Sequence, residues 1–212
     1  MARTSDRASI RKQEILDHFY EVIATEGLEG ASNAKIARHM NINQSLIYHY
    51  FSSREEMIVE LVRYLTEKYQ GAFAPILDGI SEPGERLHRG IDIAFSRDWV
   101  QFIDMGVFYS CYALSFRNER VRQSLQEMYF ALHRWLLHEI RSLMESGHIV
   151  KTDPEKLADT LISLLEGYDF YRCLMQDEER FDELGQFLKE RALAMLQTDK
   201  STRAEGPRGV AD

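Results

Sequence analysis

The sequence has few of the residues that interrupt regular secondary structure. It has only four prolines and twelve glycines in 212 residues, and valine is sparse beside leucine, alanine, glutamate, arginine and methionine. Scarce turn residues argue against a turn-rich β fold and against general disorder, and the bias toward helix formers favours helices. The composition therefore predicts an all-α fold, and the apolar segments along it indicate about nine helices.

Cysteine is also scarce, since the chain has only Cys111 and Cys173, far apart. No CxxC, CxxH or HExxH spacing occurs, so the sequence predicts no metal site and no cofactor. Two isolated cysteines are typical of a reducing compartment. The first nine residues are polar and charged, unlike a signal peptide, so a cytoplasmic location is expected.

Long apolar runs and a strong positive charge are both missing. The longest uncharged apolar run, residues 105–116, is too short to span a bilayer, so no membrane partner is expected. The net charge is −8, but residues 1–54 carry 7 Lys and Arg against 6 Asp and Glu, about +1, which leaves about −9 for the rest. This asymmetry fits a protein that contacts phosphate at one end only.

The most informative stretch is SNAKIARHMNINQSLIYHYF, residues 32–51. Ser32 and Asn43 are good helix caps, and Asn41 tolerates the left-handed backbone that often ends a helix. The pattern predicts two short helices joined by a tight turn, the second running from Gln44 to Phe51. This is typical of a helix-turn-helix that places its second helix in the DNA major groove. A helical hairpin inside an all-α core is the alternative from this stretch alone.

The neighbouring residues favour the first interpretation. The order GLEG, S-x-x-x-I-A, N-I-N, L-x-Y-H-Y-F and x-S-R-E-E closely resembles the DNA-binding domain of the TetR family of bacterial repressors over about the first 60 residues. The chain departs from the family by Ser32 in place of threonine, Asn41 in place of glycine and Arg54 in place of lysine. Each replacement keeps the capping, turning or phosphate-binding capacity of the usual residue.

The resemblance implies which side chains approach double-stranded DNA. Gln44 is suited to pair with adenine, and Tyr48, His49 and Tyr50 have polar tips suited to phosphate oxygens. Lys35 is added from its place on the first helix. The complete predicted set is Asn33, Ala34, Lys35, Gln44, Ser45, Leu46, Tyr48, His49, Tyr50 and Arg54.

The chain order predicts a DNA-binding domain at residues 1–54, a ligand-binding and dimerisation domain at 55–197, and a disordered tail at 198–212. Within the first domain we expect a polar arm over residues 2–9 and a helix from about Ile10 to Glu26. Ser53 and Glu56 form a capping box that opens the next long helix. Pro75 is expected to end that helix, near Phe73.

Members of the family usually hold a small ligand in the C-terminal domain, and ligand binding releases the operator. The density of aromatic residues suggests where such a pocket would lie, and its candidate lining is Trp99, Phe102, Met105, Tyr109, Tyr112, Trp135 and Tyr168. Residues 162–168 are similar to the choline-responsive branch of the family, and Asp104 and Glu166 lie near the aromatics in sequence. This favours a quaternary amine held by cation–π contacts. The richness in Met and Phe equally fits a hydrophobic or aromatic compound.

The last two helices are apolar on more than one face, which fits a four-helix interface between two copies of the chain. The predicted interface comprises Leu161, Leu164, Tyr171, Leu184 and Leu188. The function expected is a homodimeric, ligand-responsive repressor on a palindromic operator. A helical adaptor for another protein is the alternative. An all-α enzyme is disfavoured because Asp104, Glu166 and Asp169 occur without nucleophile–base spacing.

Overall fold

The computed structural model describes residues 2–96, 104–147 and 153–196. Within these ranges it has nine helices and no strand, which confirms the all-α prediction. The helices are α1 (Ala2–Gly30), α2 (Asn33–His39), α3 (Gln44–Tyr50), α4 (Arg54–Leu77), α5 (Pro83–Ala94), α6 (Met105–Ser115), α7 (Glu119–Glu145), α8 (Pro154–Met175) and α9 (Glu178–Met195).

Helix α1 begins earlier than predicted. The predicted arm over residues 2–9 is wrong, because the helix already begins at Ala2. Its predicted end at Glu26 marks a kink: Gly27 has φ +74° and ψ 165°, after which helical geometry resumes to Gly30. Glycine adopts positive φ without steric cost, so Gly27 ends the first helical segment after Glu26, as predicted, and a second short segment counted with α1 follows it.

Helix α4 confirms half of the predicted capping box. The Ser53 hydroxyl accepts the Glu56 N–H at 3.0 Å, as predicted. The Glu56 carboxylate, however, accepts the N–H of Ser52 at 2.7 Å, one residue earlier than a standard box requires. The predicted end near Phe73 is wrong, because Pro75 lies inside the last turn of α4. Pro75 lacks the N–H that would bond to the carbonyl four residues earlier, so the last turn forms without that one hydrogen bond.

The chain forms two compact units, Met1–Ile76 with Asp98–Leu132, and Leu77–Arg97 with His133–Asp212. The first unit contains α1, α2, α3, nearly all of α4, α6 and the first half of α7. The second contains α5, the rest of α7, α8 and α9. Neither unit has the same extent as a predicted segment, 1–54 or 55–197. The assignment of DNA contact to the first segment stays a prediction.

The core of the first unit joins the helix-turn-helix to α1, α4 and α6. Phe19, Phe51 and Met57 are fully buried there together with Val107 and Cys111 of α6. Burial raises the pKa of the Cys111 thiol to about 12, so this side chain behaves as a small apolar residue.

Hydrogen bonds of two tyrosine hydroxyls join α6 and α4 to α1. The Tyr20 hydroxyl accepts the Asp104 N–H at 2.6 Å, which ties α1 to the start of α6. The Tyr64 hydroxyl of α4 donates to the Asp17 carboxylate at 2.5 Å. Burial and this carboxylate together raise the pKa of Tyr64, so the hydroxyl keeps its proton.

The second unit packs α9 closely on α5 and α8. Tyr168 is buried and its hydroxyl donates to the Phe181 carbonyl at 3.0 Å. A Cβ added at Gly185 would stand 2.6 Å from the Phe95 carbonyl oxygen and 2.7 Å from the Tyr168 hydroxyl oxygen, so only glycine fits. A partly buried ion pair joins Arg86 to the buried Glu139 at 2.8 Å.

Several predicted features lie outside the described residues. These are the disordered tail at 198–212 and the candidate ligand contacts Trp99 and Phe102. Among the helices in the described ranges, none combines the length and the apolar content needed to cross a bilayer.

Candidate nucleic-acid interface

Helix α2 begins and packs as its sequence predicts. The Ser32 hydroxyl accepts the Lys35 N–H at 3.3 Å, which satisfies one of the free donors at the helix start. Ile36 and Ala37 are buried against the core. The helix is therefore fixed by one side, and its other side is available for contact.

The turn after α2 has the predicted left-handed residue. Asn41 has φ +52°, and the following Ile42 N–H donates to the Ala37 carbonyl at 2.9 Å. The Ile42 side chain is half-buried and packs against the core of the first unit. This closes the angle between α2 and α3 and fixes the direction in which α3 leaves.

Helix α3 is anchored by apolar side chains on one side. The Asn43 side chain caps it by accepting the Ser45 N–H at 3.0 Å. Ile47 and Phe51 are completely or almost completely buried, as expected for the anchoring face. Tyr50 is half-buried and also packs against the core, whereas Ser45, Tyr48 and His49 are exposed to solvent.

The free side of α3 is polar and aromatic. Tyr48 is 56% exposed, and Ser45 and His49 are exposed as well. Gln44, Leu46 and Tyr50 are half-buried. The Gln44 amide donates to the Tyr48 hydroxyl at 3.3 Å, so two of the predicted DNA contacts already lie side by side.

The predicted contacts on α2 differ in their surroundings. Ala34 is exposed, whereas Asn33 and Lys35 are half-buried, and the Lys35 ammonium is paired with the Glu26 carboxylate. Arg38 lies one turn after Ala34 and is exposed, a cationic side chain that the sequence analysis did not select. Arg38 follows Ala34 by four residues and so lies on the same face of α2; this spacing could have identified it from the sequence.

Arg54 has a structural role that the sequence did not predict. Its guanidinium donates to the carbonyls of Leu28 and Ala31, and it lies 5.8 Å from the ring centroid of Phe19. Burial lowers the pKa of this group from its ordinary value. Arg54 therefore holds the link between α1 and α2, in addition to the phosphate contact predicted for it.

The predicted ligand contacts are divided between the two units. Met105, Tyr109 and Tyr112 lie on α6 in the first unit, while Trp135 and Tyr168 lie in the second. In the second unit, a Cβ at Gly90 would stand 2.8 Å from the Trp135 ring, so that ring packs directly on α5.

The predicted dimer contacts differ in accessibility. Leu161 is buried within its own unit, so its side chain is already covered there. Leu164, Leu184 and Leu188 are half-buried, and Tyr171 is exposed. Four further large apolar side chains on α8 and α9 are exposed and lie outside the predicted interface set, namely Phe170, Leu174, Met175 and Phe187.

A short second helix, anchored by apolar residues and reached through a tight turn, defines a helix-turn-helix protein. The sequence matches the family described as "Bacterial regulatory proteins, tetR family" over residues 15–61. It also matches "Tetracyclin repressor-like, C-terminal domain" over residues 82–198, more than half of the chain. The chain belongs to the TetR family and is a DNA-binding transcriptional regulator.

Curated relatives include transcriptional regulators and nucleoid occlusion factors. The HTH-type transcriptional regulator BetI of Rhizobium meliloti is 24% identical over 158 residues, covering 74% of this chain and 75% of BetI. The nucleoid occlusion factor SlmA of Vibrio atlanticus is 25% identical over 165 residues, covering 76% of this chain and 83% of SlmA. These matches extend the similarity well beyond the helix-turn-helix.

Solved structures share the fold at low sequence identity. A transcriptional regulator from Saccharomonospora viridis in complex with choline has a TM-score of 0.78 at 19% identity, covering 90% of this chain and 99% of that one. A TetR transcription regulator from Haloarcula marismortui has a TM-score of 0.81 at 17% identity, covering 89% and 100%. The fold therefore agrees with the family assignment.

Proposed function

We propose that two copies of the chain bind a palindromic operator and repress transcription until a small molecule releases them. The observation that carries this proposal is α3, whose buried Ile47 and Phe51 leave Gln44, Ser45 and Tyr48 on the free side. One seven-residue helix reads only a few base pairs. A two-fold pair doubles this on an inverted repeat, with half-sites about 34–36 Å apart or a multiple of that distance.

The side chains divide into readers and positioners. Gln44 is suited to an adenine edge, Ser45 to either base type, and Leu46 to a thymine methyl group. Tyr48 and His49 are exposed at the following turn and are suited to phosphate oxygens. Arg38 on α2 adds an exposed cation for the backbone.

Selection from random duplexes tests this proposal. The expected result is enrichment of an inverted repeat, with binding that weakens as salt rises because phosphate contacts release counterions. Enrichment of a single unrepeated site would contradict the two-copy arrangement. Failure to enrich any sequence would contradict specific recognition by α3.

Exposed apolar side chains on α8 and α9 support pairing with a second copy. Phe170 and Phe187 are 56% and 54% exposed, and Leu174 is 66% exposed. Large apolar groups grouped on the last two helices are typical of a surface that another protein covers. With Tyr171, Leu164, Leu184 and Leu188 beside them in sequence, these residues form the interface we propose.

The effector belongs to one of two chemical classes. Similarity to BetI and to the regulator solved with choline supports a quaternary amine, which an aromatic side chain such as Trp135 is suited to hold. The apolar residues of α6, Met105 among them, suit a hydrophobic or aromatic compound instead. A thermal-shift comparison of choline-like amines with fatty acyl and aromatic compounds distinguishes the classes, since the true effector raises the melting temperature.

A second candidate function is a role in nucleoid occlusion, supported by the relatives of that name. Both functions require cytoplasmic DNA. Chromatin immunoprecipitation distinguishes them: a transcriptional repressor occupies one or a few promoters, whereas sites spread across the chromosome favour the second function.

A further inference from the structure

The first unit has a cluster of metal-binding side chains outside the predicted DNA contacts. His18 and Glu21 lie one turn apart on α1, and His39 is the last residue of α2. His18 Nδ1 is 3.0 Å from Glu21 Oε2 and 3.1 Å from His39 Nδ1. His39 Nδ1 is 3.5 Å from Glu21 Oε2. The three atoms therefore form a nearly equilateral triangle.

Hydrogen bonds alone do not satisfy this triangle. Each Nδ1 carries either a hydrogen or a lone pair, and a carboxylate only accepts. If both nitrogens carry hydrogens, two donors face each other at 3.1 Å. If only one of the two nitrogens carries a hydrogen, the lone pair of the other nitrogen faces the lone pairs of the Glu21 carboxylate. A cation shared by all three atoms removes the conflict, because each atom then offers it a lone pair.

The dimensions of the triangle fit a metal ion. Tetrahedral zinc holds histidine nitrogens and carboxylate oxygens at about 2.0–2.2 Å, which places neighbouring ligand atoms about 3.3–3.5 Å apart. The observed separations of 3.0–3.5 Å need only a small adjustment. We propose that His18, Glu21 and His39 bind a divalent transition-metal ion of the zinc type.

The ligand chemistry selects the class of ion. Two imidazoles and one carboxylate suit zinc, cobalt or nickel, whereas magnesium and calcium prefer oxygen ligands throughout. The side chains of Glu21 and His39 are about half exposed and that of His18 is 35% exposed, so an ion can enter from solvent. Three protein ligands leave a fourth position for water.

The site has a mechanical consequence for the helix-turn-helix. An ion held there joins α1 to the end of α2, and the next residues, Met40 and Asn41, form the turn into α3. Metal binding therefore restrains α2 against α1 immediately before the recognition helix. The sequence did not predict this site because His39 is 21 residues from His18, and only the pair His18 and Glu21 has helical spacing.

The test uses the full chain, without a histidine tag and after treatment with a chelator. Zn²⁺ is titrated against a chromophoric chelator, and Co²⁺ binding is followed by its visible absorption, which is intense in a tetrahedral site. The expected result is one ion per chain. His18→Gln, Glu21→Gln and His39→Gln should each lower the affinity at least about tenfold. His88→Gln, which changes an exposed histidine on α5, is the matched control and should bind as the wild type does.

Measurements on the wild-type chain and on the variants can each overturn the proposal. No stoichiometric Zn²⁺ binding by the wild-type chain overturns the proposal, whatever the variants do. Equal affinity in His39→Gln and in the wild type also overturns it. Circular dichroism verifies that each variant is folded, and a rise in melting temperature with Zn²⁺ but not with Mg²⁺ in the wild type alone supports it. None of these measurements uses DNA, so the proposal stands or falls independently of the operator.

Discussion

At the scale of single residues, anchoring and reading are separate tasks on α3. Ile47 and Phe51 hold the helix in the core, and Gln44 and Tyr48 occupy its free side. Arg54 holds the preceding α1–α2 link through two backbone carbonyls. Substitutions should therefore affect stability at the anchors and DNA recognition on the free side.

Gln44→Ala should relax sequence preference without abolishing binding. A side chain paired to an adenine edge contributes about 1–3 kcal/mol of discrimination against a wrong base. Competition gel shifts with single base-pair changes in the selected operator measure this. Arg38→Ala is the control, because losing a phosphate contact weakens all sequences about equally. Unchanged preference in Gln44→Ala would contradict the assignment of this residue.

Arg54→Ala should lower the free energy of unfolding by about 2 kcal/mol, because two charge-assisted hydrogen bonds are lost. Urea unfolding followed by circular dichroism measures it. Arg38→Ala, at an exposed position, should change stability by less than about 0.5 kcal/mol. If the two variants were equally stable, the structural role of Arg54 would be wrong.

Glu56→Gln should reduce stability near neutral pH but not in acid. Hydrogen bonds from the Ser52 hydroxyl and N–H hold the pKa of Glu56 below its usual range. A depressed folded-state pKa stabilises the protein above the unfolded value of about 4.3, and this contribution is lost as pH falls through the folded pKa. Unfolding measured from pH 7 to pH 3 should show the gap between wild type and variant closing. A constant gap, or an equal one in the exposed Glu67→Gln, would argue against this cause.

At the scale of helices, the close packing of α9 against its neighbours is the feature most sensitive to change. Gly185→Ala places a Cβ 2.6 Å from the Phe95 carbonyl oxygen, so the helices must separate. The expected loss is about 1–2 kcal/mol, since overpacking outweighs the gain in helix propensity. Gly71→Ala on α4 has nothing within 4 Å and should stabilise by about 0.5–1 kcal/mol. Thermal unfolding of both variants should show these opposite signs.

Local chemistry explains which elements the sequence predicted. Ser32, Asn41 and Asn43 act on backbone groups within three residues, so their caps and turn were readable directly. The start of α1 at Ala2 could not be predicted from the sequence, because the polar residues there have similar preferences for helix and for coil. The bonds of Arg54 to α1 and the approach of His39 to His18 depend on tertiary packing, which leaves no signal at helical spacing.

At the scale of the whole molecule, the proposed function requires two chains acting together. Phe170→Glu should prevent pairing, because a charge is costly to bury in an apolar interface. Light scattering coupled to size exclusion should then give the mass of one chain, against two for the wild type. Phe130→Glu is the matched control, since Phe130 is 58% exposed on α7, in the first unit, and is not one of the proposed interface residues. A dimer that survives Phe170→Glu would place the interface elsewhere.

DNase protection of the DNA next to the gene for this chain tests whether two copies bind one operator. We expect two protected half-sites of an inverted repeat, separated by about one helical turn or a multiple of it. Protection should be lost together at both half-sites in Phe170→Glu and weakened by the true effector. Absence of protection from the wild-type chain at any concentration, or protection of one half-site by a single chain, would contradict this expectation.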